Sequence, residues 1–175
     1  MILFRHHDKD RTFFREDSLQ RPARWHDATT APAQYLSTTP DAAWAEFIRH
    51  EGITTAEECE AINRALWAVD VPDEPWATPD LPESLLFGDE DAYPACRAEA
   101  NRLLATGVRR IHAPSAAVLP RTPSGFRTDG GLRPGPPLHE ETVVLFGPRP
   151  DVTGWYACAE GRPHTTLLGR VRHFS

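Results

Sequence analysis

Apolar runs in this chain are short, and proline or glycine follows most of them before they can become a long helix or a long strand. Seventeen prolines and 11 glycines punctuate the 175 residues; each proline removes a backbone donor and fixes φ, and each glycine admits a turn. The chain is therefore confined to brief strands and helices joined by many irregular connections. No segment approaches the ~18 continuous apolar residues of a membrane span, and the opening MILFRHHDKD is too briefly apolar for a signal peptide. A hydrophobic fraction of 40% with 25% charged residues is that of a globular protein. The length suffices for one core but not for two ordinary domains. The expectation is one domain over residues 1–175, in the cytoplasm, without membrane contact.

The order of elements follows from local pattern. Ile2 to Arg5 predicts a strand, His6 to Gln20 a polar loop with a turn of helix, and AQYLS (Ala33 to Ser37) a second strand. Thr39-Pro40-Asp41 is a helix start, with a capping hydroxyl, proline at the first helical position and an acid in the first turn. That helix should run to about Glu51 and end at Gly52, with Ala43, Phe47 and His50 on one side and Trp44 and Ile48 extending the apolar stripe. A short helix over Thr55 to Ala61 and a strand over Ala65 to Val71 follow. Asp91 is expected to cap a helix from Ala92 to Thr106, with Cys96, Ala100, Leu103 and Leu104 inward and Gly107 closing it. Val108 to His112 and Thr142 to Phe146 are predicted strands, residues 120–137 an exposed loop, and Leu167 to Phe174 a last strand that closes the sheet. Helices and strands mix without a βαβ rhythm, so the predicted class is α+β.

Charge and motif content exclude several functions. A formal net charge of −6 argues against direct nucleic-acid binding. Among the 19 basic residues only Lys9 is a lysine, so positive charge resides in guanidinium groups suited to bidentate grip on phosphate or carboxylate. Cys59, Cys96 and Cys158 have neither disulfide-framework nor zinc-knuckle spacing. His6, His7 and Asp8 are adjacent, but neighbouring residues of a strand face opposite ways and no HExxH completes a ligand set, so no metal is expected. No GxSxG, GxxxxGK[ST] or GxGxxG occurs. Any nucleotide must be held by side chains, with Arg5, Arg21, Arg24 and Arg127 as candidates.

An ordered set of residues goes further: Arg5 in LFRHH, Arg24 in RPARWHD, Tyr35 and Glu46 in AQYLSTTPDAAWAE, Ser115 in GVRRIHAPSAAV, and then ETVVLFG. In this order the chain resembles the RES family, named for its arginine, glutamate and serine, from Phe4 to about Phe174. The resemblance implies an ADP-ribosyltransferase-like α+β fold, a mixed sheet core with flanking helices. It implies cleavage of the nicotinamide–ribose bond of NAD+, as phosphorylase or glycohydrolase, with inorganic phosphate as a co-substrate. Protein ADP-ribosylation and a catalytically inactive antitoxin-binding module are the alternatives. It also implies the toxin role of a toxin–antitoxin pair, with an Xre-type helix-turn-helix antitoxin, as a hetero-oligomer or a homodimer. Glu46, Arg5 and Tyr35 would be catalytic, and Arg24 and Ser115 would bind NAD+ or phosphate.

Those residue types suit that chemistry. Expelling a pyridinium leaving group builds positive charge on the ribose and needs no general acid, because nicotinamide departs as a neutral amine, so one carboxylate can suffice. Glu46 would face that charge, Tyr35 would offer a ring face and a hydroxyl, Arg5 and Arg24 would grip phosphate, and Ser115 would add a hydrogen bond to the substrate. The chain departs from the family pattern at three places. Pro22-Ala23 stand where two glycines are common, which stiffens the loop; His26 follows Trp25 where asparagine is usual, and His6 follows Arg5 where an aromatic residue is frequent. His6 and His26 carry no assigned role.

Overall fold

A computed structural model describes residues 1–14, 20–30 and 32–175. The strands are β1 (Ile2–His7), β2 (Ala33–Ser37), β3 (Arg64–Asp70), β4 (Arg110–Pro114), β5 (Phe126–Thr128), β6 (Leu132–Pro134), β7 (Glu141–Phe146) and β8 (Thr153–Gly161). The helices are α1 (Pro40–Glu51), α2 (Ala56–Glu60), α3 (Glu83–Leu86) and α4 (Tyr93–Ala105). Six strands form one sheet in the order β4-β7-β2-β1-β3-β8, and β5 with β6 makes a separate exposed hairpin. The α+β class holds. Each registered strand pair is antiparallel, with a parallel bridge between Ala77 and Ile111 beside β4.

Alternation along the strands builds two faces. On β7, Val143 and Leu145 join Leu3, Leu36, Val69 and Val71 on one side, while Val144 and Phe146 join Trp25, Ala33, Ile111 and α4 on the other. Next to this second cluster, α1 packs Ala42, Trp44 and Ile48 against Leu66, Ala117 and Val118. Ile48 is fully buried, a contribution of about 1.5–3 kcal/mol for a side chain of its size.

Helix α1 begins and ends where its sequence dictates. The Thr39 side chain accepts a hydrogen bond from the Ala42 N–H at 3.1 Å, and Gly52 ends the helix at φ 65°, where a side chain would be strained. Its inward face differs from the expected stripe. Arg49 is buried and Phe47 only half-buried, because the guanidinium finds backbone carbonyls to satisfy it.

Other boundaries also moved. β1 continues through His7, so His6 and His7 belong to the strand; residues 15–19 of the expected loop lie outside the described residues. Asp91 lies within a 3-10 turn, Glu90–Ala92, that leads into α4 without a side-chain cap. The strand predicted from Val108 begins at Arg110. The 120–137 loop contains the β5–β6 hairpin. Residues Thr165–Arg170 form a 3-10 helix rather than a closing strand, and β8, which was not expected, closes the sheet beside β3. An outermost strand has only one ladder to satisfy, so β8, exposed along most of its length, lacks a strong apolar alternation.

One feature of the sheet positions the site. β1 is in register with β3 along its whole length and β2 with β7 along its own, yet β1 meets β2 only at Phe4 and Ser37. The central strands therefore diverge, and the gap between them opens beside α1.

Candidate active site

A cavity of about 280 Å3 occupies that gap, lined by β1 (Phe4 to His7), β2 (Tyr35 to Ser37), the Ala23-Arg24-Trp25 corner, Glu46, Arg49 and His50 of α1, Arg64, Tyr93 and Thr142. Of the five residues singled out from sequence, Arg5, Arg24, Tyr35 and Glu46 line it. Ser115 is buried immediately behind.

Glu46 is fixed from one side. Its Oε1 accepts hydrogen bonds from Ser115 Oγ at 3.1 Å and Thr142 Oγ1 at 3.0 Å, while Oε2 stands 3.8 Å from His50 Nε2, one helical turn on. The two hydroxyls come from the end of β4 and the start of β7, strands that pair through Pro114 and Glu141. Sheet register thus delivers both to the same oxygen. Ser115, expected to touch substrate, instead holds the carboxylate and donates nothing into the cavity.

Tyr35 presents its ring and withholds its hydroxyl. The oxygen accepts the Trp25 N–H at 2.9 Å and lies 3.0 Å from His26 Nδ1. The hydroxyl is thus shared between the Trp25 amide and the His26 ring. Burial pushes the Tyr35 hydroxyl well above its ordinary range and lowers the affinity of His26 for a proton. His26 therefore has a place here, as the ring partner that fixes Tyr35.

The arginines divide by what they bind. At a turn closed by Ala23 N–H to His26 C=O, Arg24 donates Nη1 to the carbonyls of Leu85 and Leu86, each at 3.1 Å, and Nη2 to Gly88 C=O at 2.5 Å, with its plane 4.8 Å from the Tyr93 ring. These carbonyls end α3, where an arginine satisfies groups that lack helical partners. Arg49, not anticipated from sequence, gives Nη1 to the Ala116 carbonyl and to Arg172 C=O at 3.1 Å, and Nη2 to Gly88 C=O at 3.4 Å and Asp89 Oδ1 at 3.1 Å. Phe174 covers its guanidinium at 4.2 Å. Arg5 donates Nη1 to Gln34 Oε1 at 2.7 Å. Arg21 and Arg127 are exposed and do not line the cavity.

His6 and Arg64 complete the wall. Arg64 Nε donates to His6 Nδ1 at 3.3 Å and Nη1 to Asp8 Oδ1 at 2.6 Å, and the His6 ring lies 4.9 Å from Phe47. Burial, then the charges of Arg64 and Arg5, hold His6 well below the ordinary histidine range. Among the described residues, no group of three or more His, Cys, Asp or Glu side chains could hold a metal ion, and no helix is long and apolar enough to cross a membrane.

Chemically, the arrangement is a half-enclosed cavity with one oriented carboxylate, an aromatic face and a cationic rim. No curated protein matches the sequence. The fold is similar to that of a chain in the crystal structure of the M. tuberculosis MbcT–MbcA toxin–antitoxin complex, with a TM-score of 0.62 and 17% identity over 90% of this chain and 84% of that one. A family model, the RES domain, matches residues 2–128. That span holds Arg5, Arg24, Tyr35, Glu46 and Ser115, and the chain belongs to the RES domain family.

Proposed function

We propose that this protein cleaves the nicotinamide–ribose bond of NAD+, transfers ADP-ribose to inorganic phosphate or water, and acts in the cytoplasm as the toxin of a toxin–antitoxin pair. The observation that carries this is Glu46. Its Oε1 is held by two hydroxyls, which leaves Oε2 toward a cavity wide enough for the nicotinamide–ribose end of a dinucleotide. As the C–N bond breaks, its electron pair goes to the nicotinamide nitrogen and positive charge spreads over the ribose ring. A preoriented carboxylate stabilises that charge without reorganising, an effect worth about 3 kcal/mol by analogy with oxyanion donors. A phosphate or water oxygen then forms the new bond to the same carbon.

The Tyr35 ring offers the nicotinamide a face to stack on, and its buried hydroxyl keeps the ring in place. Arg5 contributes cationic attraction for the pyrophosphate from β1. Family membership and the fold likeness to a toxin–antitoxin complex support an antitoxin partner, proposed to be of the Xre helix-turn-helix type. With a net charge of −6 on this chain, DNA contact falls to that partner.

The test is incubation of the pure protein with NAD+, with and without phosphate, and identification of products. ADP-ribose-1-phosphate marks phosphorolysis, free ADP-ribose marks hydrolysis, and a labelled protein marks ADP-ribosyl transfer. Expression of the chain alone should arrest growth and deplete cellular NAD+, and the Glu46→Gln form should do neither. Intact NAD+ after incubation with folded wild-type protein would overturn the enzymatic assignment.

A further inference from the structure

Glu46 and Arg49 lie three residues apart on α1, a spacing that makes them neighbours on the helix surface. Both hold the short segment from Ser115 to Ala117. Glu46 Oε1 takes the Ser115 hydroxyl at 3.1 Å, and Arg49 Nη1 donates to the Ala116 carbonyl. The other end of that same peptide group is the Ala117 N–H, which donates to Ser115 Oγ at 3.3 Å. A continuous run therefore leads from the guanidinium to the carboxylate, through the Ala116–Ala117 peptide and the Ser115 hydroxyl. Arg49, Ser115, Ala116 and Ala117 are all buried, so water does not compete for these bonds.

Residues 172–175 hold Arg49 from its other side. Nη1 also donates to Arg172 C=O at 3.1 Å, and the Arg172 N–H returns to Ala117 C=O at 2.8 Å. The Phe174 ring lies 4.2 Å from the guanidinium. Asp89 joins the two: Oδ1 takes Arg49 Nη2 at 3.1 Å, while Oδ2 takes the Ser175 N–H at 3.0 Å and the Ser175 hydroxyl. Apolar contact alone would seat α1 here, since Ala45 and Ile48 share a buried cluster with Ala117 and Val118. A buried guanidinium is costly unless it is well paired, and what it adds to that packing is direction.

We propose that Arg49 is a positioning residue for Glu46, and that residues 172–175 with Asp89 form the clasp that holds it in place. A cation on a peptide carbonyl polarises the group and strengthens its N–H as a donor. The Ala117 N–H then occupies one acceptor position of Ser115 Oγ. An amide N–H cannot accept in return, so the hydroxyl proton is left for Glu46. Thr142 supplies the second donor to the same carboxylate oxygen from β7. One donor is thus anchored by the sheet and the other is set by the clasp.

As a contribution to catalysis this role rests on the function proposed above, whereas the hydrogen-bond run itself does not. Asp89 lies within the matched family span of residues 2–128 and residues 172–175 lie outside it, so the clasp joins a part of the chain that the family model covers to one that it does not.

The experiment joins steady-state kinetics of nicotinamide release to the amide proton resonance of Ala117 in the full chain. Arg49→Lys should lower kcat about tenfold or less, the effect of one weakened hydrogen bond, with KM nearly unchanged, and should move the Ala117 resonance upfield. Phe174→Ala should do the same more mildly and serves if the lysine variant fails to fold; Phe174→Tyr, which keeps a ring over the guanidinium, should recover most of the loss. In a Ser115→Ala background, Arg49→Lys should lower kcat little further, because the route passes through that hydroxyl. Losses that multiply in the double variant, a defect confined to KM, or an Ala117 resonance that stays in place in both Arg49→Lys and Phe174→Ala overturns the proposal. If the folded wild type leaves NAD+ intact, the enzymatic reading fails on that result, and the positioning run stands or falls on the Ala117 resonance.

Discussion

Ser115 donates its hydroxyl proton to Glu46 Oε1 at 3.1 Å, across 69 residues of sequence. The serine sits behind the carboxylate and is buried, so its influence on catalysis passes through Glu46. Glu46→Gln, which removes charge at constant shape, should lower NAD+ cleavage on the order of 100-fold or more with little change in thermal midpoint. Ser115→Ala should lower kcat about tenfold and leave KM nearly unchanged, since Thr142 still holds the same oxygen. Steady-state kinetics of nicotinamide release check both; a Ser115→Ala defect confined to KM would return Ser115 to direct substrate contact.

Arg24 is tied to the end of α3 by three carbonyl contacts. Arg24→Lys keeps the charge but cannot reproduce the fork, and should cost about 2–4 kcal/mol of stability, because charged hydrogen bonds of about 1.5–3 kcal/mol each are lost and carbonyls go unsatisfied. Arg5→Lys should instead weaken NAD+ affinity with a smaller effect on stability. Denaturant unfolding alongside NAD+ binding separates the two, and equal stability of both variants would sink the distinction.

Tyr35→Phe tests the division between ring and hydroxyl. Loss of the oxygen strands the Trp25 N–H and His26 Nδ1, a cost of about 1–3 kcal/mol, while the ring face survives. Cleavage should fall less than about tenfold at a temperature where the variant is folded, whereas Tyr35→Ala should abolish it. If Phe is as damaging as Ala, the hydroxyl acts directly on substrate.

Acid should destabilise the protein through its histidines. His6 and His26 both have folded-state proton affinities lowered chiefly by burial, so the unfolded chain binds more protons below the ordinary histidine value of about 6.5. Stability then rises with pH, and it is lost as pH falls from that value toward the folded-state values. The thermal midpoint should drop between pH 7 and pH 5, and His6→Asn or His26→Asn should flatten the slope. A midpoint that is level in wild type across that range would contradict the burial of these rings.

Gly88 is where Arg24 and Arg49 converge on one carbonyl. A Cβ there would lie 2.7 Å from Ser84 O and 2.8 Å from the Ala92 Cβ, so Gly88→Ala must displace the loop that both guanidinium groups bind. The expected result is a loss of about 1–3 kcal/mol, typical of overpacking, read by thermal unfolding.

Local physics was enough for much of this protein. The cap at Thr39, Pro40 at the helix start and Gly52 at its end delimit α1 through interactions a few residues long, and TVVLF shows as a core strand by its apolar run. The order Arg5, Arg24, Tyr35, Glu46, Ser115 identified the family before any geometry. Tertiary structure decided the rest, because it depends on groups far apart in sequence. Nothing near Ser115 indicates that it faces Glu46; the pairing of β4 with β7 brings Ser115 and Thr142 to one oxygen. Arg49 reads as a surface charge until the carbonyls of Gly88, Ala116 and Arg172 surround it. β8 goes unrecognised because an exposed edge strand needs little apolar pattern, and Leu167 to Phe174 imitates a strand because its apolar residues pack on α1 from a 3-10 turn. His6 next to Arg5 is only a substitution in sequence; its tautomer is set by Arg64, 58 residues away.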